Sequence, residues 1–408
     1  MGISISDRER LRALAGQQAQ LAVSPAMRTL YKEWVTHGQS GTLGRPMVRI
    51  ELWTFEQDIL PPLYQCTGEE ARAIERRLLS NIVNHTLFGD DTLVPDHYGV
   101  YGHGWFKPFG LTVKRQETGG VGHHFVSCLY DLEKDMHVLN ESEYGWRDNP
   151  DEADLAHDLF GDLLPVRPSG MTLGSSPMQD LVHIMDMEDL YMAMFDTPDL
   201  FVQVLERLTD DYAEYFRFLQ NKGVLVSAAR GQHLAQGSYC FTDRLPDLKE
   251  NARLTDLWLY MDSQETSGVS PEMYAQLVFP SYEKLMALFG RVSYGCCEAV
   301  HALWEPCLKR ITNLGKVSIS PWCDEPMMGD ALRGSDIVFL RKPTPNLLGV
   351  GAPLPEEEVT KHLSATGMAA RGCKLEVSQR DVYRINGTPD KVRRYVTLIR
   401  QALADTWH

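Results

Sequence analysis

Short apolar runs and helix-compatible stretches alternate along the C-terminal half of the chain. The runs occupy 224–229, 257–261, 292–294, 316–319, 337–340 and 373–377, and helical spacing fills most of the gaps, at 271–289, 299–314, 355–371 and 388–406. Starts roughly 20 to 36 residues apart predict βα units feeding a parallel sheet. Just upstream, 187–222 reads as two helices parted at Thr197-Pro198-Asp199, where proline and aspartate suit a helix start. The N-terminal half is less regular. Segments 8–19 and 25–36 are charged, helix-like sequence and end in a Gly/Ser-rich loop at 38–44, which reads as a substrate-side extension or a dimer arm. A short strand is expected at 46–52, a helix at 69–88, and an extended run at 91–96 that delivers Asp96 at its end. From 98 to 168 periodicity is poor, and glycine, tryptophan and histidine are frequent. Long loops or hairpins are expected there, of the kind that serve as lids.

Polar groups follow all six runs: Gln232 and His233; Asp262, Gln264 and Glu265; Cys296, Cys297 and Glu298; Trp322, Cys323 and Asp324; Arg341 and Lys342; Gln379, Arg380 and Asp381. In a closed (β/α)8 barrel these would meet at one mouth, whereas in an open sheet only those beside the switch point would. No GxGxxG or GxxxxGK[ST] loop follows a strand, which weighs against a nucleotide-binding open sheet. The expectation is therefore an α/β chain forming a TIM-type (β/α)8 barrel over 46–408, with an N-terminal helical extension over 1–45 and long loops over the mouth.

Charge and cysteine content narrow the partners. A formal charge of -15 argues against general affinity for nucleic-acid backbones, which require a basic face. No stretch approaches the ~18 apolar residues of a membrane span, and residues 1–12 are polar, so a cytoplasmic protein without membrane partners is expected. Of eight cysteines only Cys296 and Cys297 are adjacent, and no paired CxxC occurs, which suits reduced thiols.

The densest chemistry lies in Tyr294-Gly295-Cys296-Cys297-Glu298, with His301 one helical turn on. Thiolate, carboxylate and imidazole are all zinc ligands, so Cys296, Cys297, Glu298 and His301 are the candidate metal set; the plainer reading is two buried thiols with Glu298 capping a helix. Glu265, Asp96, Glu298 and His124 are candidates for proton transfer, with His123 beside the last. Tyr294, His233, Gln264, Trp322, Asp324 and Arg341 are candidate substrate contacts, Arg341 and Lys342 for a carboxylate or phosphate. Asp324 equally suits an N-cap for a helix from Glu325.

Ser263-Gln264-Glu265 with Gly268-Val269-Ser270-Pro271, Tyr294-Gly295-Cys296-Cys297-Glu298, Ser318-Ile319-Ser320-Pro321-Trp322-Cys323-Asp324, and Arg341-Lys342-Pro343-Thr344-Pro345-Asn346 stand in an order that resembles the uroporphyrinogen decarboxylase-like superfamily, on its corrinoid-linked methyltransferase and demethylase side. Asp90 to Asp96 and Gly122-His123-His124-Phe125 match more loosely. The resemblance implies a (β/α)8 barrel, a corrinoid carried by a separate protein, and zinc on a His-x-Cys pair plus a later cysteine. Here Cys296 matches the cysteine, Tyr294 stands in place of the histidine, and the later cysteine falls near Ser378 or Gln379. No Arg-rich motif near 25–50 matches that of the decarboxylases. A methyltransferase acting on a small ether, amine or thiol, with acid or zinc assistance, is the expected activity. A cofactor-free decarboxylase or lyase on a small carboxylate, and a catalytically silent barrel in a methyl-transfer complex, remain the alternatives.

Overall fold

A computed structural model describes residues 3–117, 123–169, 172–227, 230–247 and 250–408. Its centre is a seven-stranded parallel sheet built from β1 (Met47–Ile50), β2 (Leu173–Ser175), β3 (Trp258–Met261), β4 (Arg291–Tyr294), β5 (Leu314–Ile319), β6 (Val338–Arg341) and β7 (Lys374–Gln379). The order across the sheet is β1-β7-β6-β5-β4-β3-β2, so consecutive strands from β2 to β7 are neighbours and β1 returns beside β7. The helices used below are α1 (Ile5–Ala22), α2 (Pro25–Gly38), α3 (Glu69–Val83), α4 (Pro198–Lys222), α5 (Glu325–Leu332), α6 (Glu356–Ala369) and α7 (Pro389–Thr406).

The helices follow from their sequences. α4 starts on Pro198 and stops at Gly223, whose φ of 73° lets its N–H reach back to Gln220 and Leu219. Between these ends Phe201, Val204, Leu205, Leu208, Tyr212, Tyr215, Phe216 and Leu219 form one buried stripe at helical spacing. α7 buries Val392, Tyr395, Val396, Ile399 and Leu403 in the same way. Each such side chain, fully buried, contributes about 1.5–3 kcal/mol of transfer free energy.

Strand alternation makes the sheet two-faced. Along β7, Leu375 and Val377 face one way and Lys374, Glu376 and Ser378 the other, all buried. The polar face carries charge into the middle of the molecule: Lys316 donates to Glu376 Oε1 at 2.5 Å and to Ser238 Oγ at 2.7 Å, and His37 Nε2 lies 3.4 Å from Glu376. Burial alone would raise the Glu376 carboxyl, but Lys316 and His37 outweigh it and take it down to about 2.

Among the described residues the strand ladder is not closed into a (β/α)8 barrel, and β1 and β2 are its two edges. Aspartates explain part of this. Beside β1, Asp90 accepts the N–H of Ile50 and Asp91 that of Val48, both at 2.7 Å, so side chains take edge amides that an eighth strand would use. Within 224–229, Val226 pairs with Glu250 in an isolated bridge, and 228–229 lie outside the described residues. The 98–168 segment contains antiparallel strand pairs, His103–Lys107 with Glu143–Arg147 and Lys114–Glu117 with His123–Val126, plus an unforeseen helix at Pro150–Phe160.

The N-terminal extension is built into the core. On α1, Leu11, Leu14 and Ala15 are buried, and Asp7 accepts the N–H groups of Thr67 and Gly68 ahead of α3. The end of α2 reaches the sheet, where Lys374 donates to the carbonyls of His37 and Gln39. Lys374 is the first residue of β7, so α2 lies at the amino end of the strands, opposite the chemistry. No helix among the described residues is long and apolar enough to cross a membrane.

Candidate active site

Because the strands are parallel, the residues just past β3, β4, β6 and β7 emerge on one side of the sheet, where α/β sites form. Gly295 ends β4 with φ 104°; a side chain there would press on Val300 and Ser318. The turn it permits sets Cys296 and Cys297 at the crevice, part-exposed, with their sulfurs 3.7 Å apart.

Glu298 is 2% exposed and ties two loops together, one oxygen accepting the N–H of Ser263 at 3.0 Å and the other that of Cys296 at 2.8 Å. Asp262 and Glu265 approach from β3, also buried, and among the described residues Asp262 Oδ1 and Glu265 Oε2 have no hydrogen-bond partner. Three carboxyl groups thus share one water-poor corner. Burial first, then the charge of Asp262, pushes Glu298 up to about 7; burial, partly offset by hydrogen bonding, and the charges of Asp262 and Glu298 bring Glu265 to about 7 as well. A carboxyl in that range can hold a proton at neutral pH and give it up.

The opposite wall is cationic and organised by Gln236. Its Oε1 accepts from Lys342 Nζ at 2.7 Å and from Arg380, and its Nε2 donates to the Tyr260 hydroxyl at 2.6 Å, which donates in turn to Asp262 Oδ2 at 2.5 Å. Arg380 also pairs with Glu51 at 3.0 Å. Gln236 has φ 65° and Asp381 φ 60°, left-handed conformations that cost a non-glycine residue about 1–3 kcal/mol and gather at functional sites. Within the thiol pair, the hydrogen bond with Cys296 favours a thiolate on Cys297; against the opposing effect of burial, Lys342 favours it too, and the Cys297 thiol falls to about 6 while that of Cys296 rises. Beside Gln236 a cavity of ≈ 330 Å³ opens, walled by Arg49, Glu51, Trp53, His233 and Gly237 among others. Arg49 lies 3.0 Å from His233 Nδ1 and, after burial, holds that imidazole below its usual value, hence neutral.

Several expected site residues lie elsewhere. Tyr294 is buried and hydrogen-bonded to the Tyr274 hydroxyl at 2.6 Å, on the face away from the crevice, which places it in the core. Arg341 is 1% exposed and spends its donors on the Ile319, Ser320 and Lys342 carbonyls, Thr366 and His362, with Glu325 as its ion pair, which fixes α5 and α6 to the sheet. Its neighbour Lys342 is the one that faces inward, as strand alternation requires. Asp96 is exposed and paired with His97 at 2.8 Å and Arg167 at 3.5 Å, which hold it below the usual carboxylate range, and His124 is exposed on a hairpin outside the main sheet. Gly122 lies outside the described residues, as does the side chain of His123. Trp322 is 67% exposed, and Gln264 sits part-buried in the turn that carries Glu265. Asp324 caps α5 by accepting the Met327 N–H at 2.9 Å.

The expected zinc ligands are divided. Both Glu298 oxygens serve backbone amides, and His301 Nδ1 accepts the Asp324 N–H at 3.2 Å. Among the described residues no group of three or more His, Cys, Asp or Glu side chains is arranged to hold a metal ion. The donor set therefore does not fit the closed or three-protein-ligand geometry that zinc takes. Gln236 and Tyr260 went unnoticed in the sequence. Tyr260 was accessible there, because it shares a strand face with Asp262; nothing marked Gln236.

No family profile matches the chain, and no curated protein does. Among solved structures, a methyltransferase from Methanosarcina mazei is similar over 83% of this chain and 86% of its own, at 13% identity and a TM-score of 0.45. Residue roles are therefore taken from the crevice itself.

Proposed function

We propose that this chain transfers a methyl group from a small methylated substrate, an ether, amine or thiol, to the cobalt of a corrinoid carried by a separate protein, in the crevice over β3, β4, β6 and β7. The corrinoid supplies the nucleophile when its carrier docks. An alkoxide or phenolate is a poor leaving group, so the protein lowers the barrier by delivering a proton as the carbon–heteroatom bond breaks. Glu265 is assigned that proton. Burial first, then the charges of Asp262 and Glu298, keep it protonated, and Tyr260, itself held by Gln236, fixes Asp262.

The observation that carries this reading is a buried Glu265, its Oε2 without a hydrogen-bond partner among the described residues and its affinity for protons near neutrality, beside two further carboxyl groups. The order of motifs from Ser263 to Asn346 supports it, as do the positions of Asp262, Glu265, Glu298 and Lys342 at the carboxyl ends of their strands. Acid assistance is preferred over zinc because the metal donors are dispersed. The test incubates the protein with cob(I)alamin and a methoxyarene, methylamine or methanethiol, and follows methylcobalamin by absorbance. Methylation by the wild type, reduced about 10²–10⁴-fold in Glu265→Gln, is expected. Absence of methylation with all three classes, even with the native corrinoid carrier, overturns it. Carbon dioxide release from a small carboxylate without corrinoid would favour a decarboxylase instead, a reading to which the Lys342 and Arg380 wall lends some weight.

A further inference from the structure

We propose that Lys342 and Arg380, gathered on the Gln236 amide beside Cys297, form a seat for an anionic group of the substrate, a carboxylate or a phosphate. This deepens the proposed function by naming a chemical class for its substrate, and it takes from that reading only the location of the crevice.

The argument rests on how the two cations are satisfied. Lys342 is 3% exposed, yet among the described residues its ammonium makes one hydrogen bond, to a neutral amide oxygen, and no carboxylate lies within ion-pair distance. A buried ammonium has three donors and pays heavily for desolvation unless paired. Arg380 shares the same amide oxygen while its Nε is engaged by Glu51 at 3.0 Å and lies 3.6 Å from Asp381. Two positive groups therefore converge on a single uncharged acceptor, which a structural role alone would not favour. Elsewhere in the sheet the buried Lys316 has its carboxylate, Glu376, at 2.5 Å.

Further observations place the seat in the crevice. Cys296 and Cys297 lie within electrostatic reach of Lys342, and Cys297 also of Arg380, and the thiol pair is part-exposed. Gln236, the residue on which both cations converge, also borders the ≈ 330 Å³ cavity, which leaves room for a substrate beside it. Its left-handed backbone positions that amide, and Gly237, φ 72°, continues the turn; a side chain on Gly237 would strike Ser378 Oγ, itself buried and without a partner among the described residues. The Ser378 hydroxyl is a further donor available on the same wall. A bidentate acid would match two converging donors better than a neutral group would.

Alkylation selectivity at Cys297 tests this without any methyl transfer. The full-length protein is treated with iodoacetate or iodoacetamide, and Cys297 modification is timed by peptide mass spectrometry, with Cys297→Ser as the site control. Relative to free cysteine, iodoacetate is expected to gain about tenfold over iodoacetamide. Lys342→Met is expected to abolish that gain while Lys342→Arg retains part of it, and benzoate or inorganic phosphate should protect the wild type. Protection by benzoate alone assigns a carboxylate, and by phosphate alone a phosphate. A wild-type ratio equal to that of free cysteine, with neither anion protecting, overturns the proposal whether or not the variants fold. A protein that shows the preference but moves no methyl group leaves the seat standing and removes the methyl-transfer reading.

Discussion

Lys316 and Glu376 lie on the same polar face of the sheet as Lys342 and Asp262, at different heights along the strands. In the middle layer opposite charges meet at 2.5 Å, Ser238 contributes a further contact, and Glu376 is driven to the ionised side. At the carboxyl ends like charges are crowded instead: Asp262, Glu265 and Glu298 on one wall, with oxygens of Asp262 and Glu265 that have no partner among the described residues, and on the other Lys342 without a carboxylate beside an Arg380 that keeps Glu51. The first arrangement fills a core with charge, and the second stores electrostatic tension that a ligand can relieve. Burial is similar in the two places, so partner choice is what separates scaffold from site.

The sharpest way to break the contrast is to unpair the middle layer. Lys316→Met leaves Glu376 buried without its cation and should cost about 3–5 kcal/mol of stability in urea unfolding. Loss below 1 kcal/mol would mean the two layers are not different in kind. Next, Glu265→Gln should slow methyl transfer about 10²–10⁴-fold while leaving the fold intact by circular dichroism.

The two layers should also respond to pH with opposite signs. Glu265, raised from 4.5 to about 7, keeps in the folded state a proton that the unfolded chain has released, so stability falls as pH rises from about 4.5 to 7. The full penalty, on the order of 3 kcal/mol, is then present above pH 7. Glu265→Gln should flatten that slope, leaving the part due to Glu298, and proton-assisted transfer by the wild type should fade above about pH 7. Glu376, lowered to about 2, contributes stability that is complete above about 4.5 and disappears as pH falls toward 2. Urea midpoints at pH 3, 5 and 8 for wild type, Glu265→Gln and Glu376→Gln resolve the two signs.

Smaller effects sharpen the boundary of the site. Tyr294→Phe removes one hydroxyl from the Tyr274 pair and should cost about 1 kcal/mol of stability with turnover unchanged. Asp96→Asn, at an exposed ion pair, should alter unfolding by less than about 1 kcal/mol and leave the rate as it was.

The strands β3 to β7 were legible because each is a short apolar run followed by a helix-compatible segment, and the polar tips at Asp262, Glu265, Cys296, Glu298 and Arg380 could be read from the same pattern. Closure was not legible, since whether 90–94 pairs as a strand depends on where the Asp90 and Asp91 carboxylates send their hydrogen bonds. Arg341 and Lys342 show a second gap: composition nominates both, and only the register of β6 decides that Arg341 enters the helix layer and Lys342 the crevice. His301 and Tyr294 looked chemical by proximity in sequence, but the turn at Gly295 sends the chain one way and β4 had already faced the other. Gln236 had no signature, because its role comes from three partners 24, 106 and 144 residues away.

That glutamine has a consequence for polarity. A carboxamide presents unlike ends, and with an ammonium and a guanidinium at its oxygen the group can be oriented in only one sense; turning it by half a revolution would set two hydrogens against two cations. The tyrosine is therefore obliged to accept from the amide, and its own hydrogen has to go to Asp262. The direction of every proton along that short relay is settled by charge on the far side of the crevice.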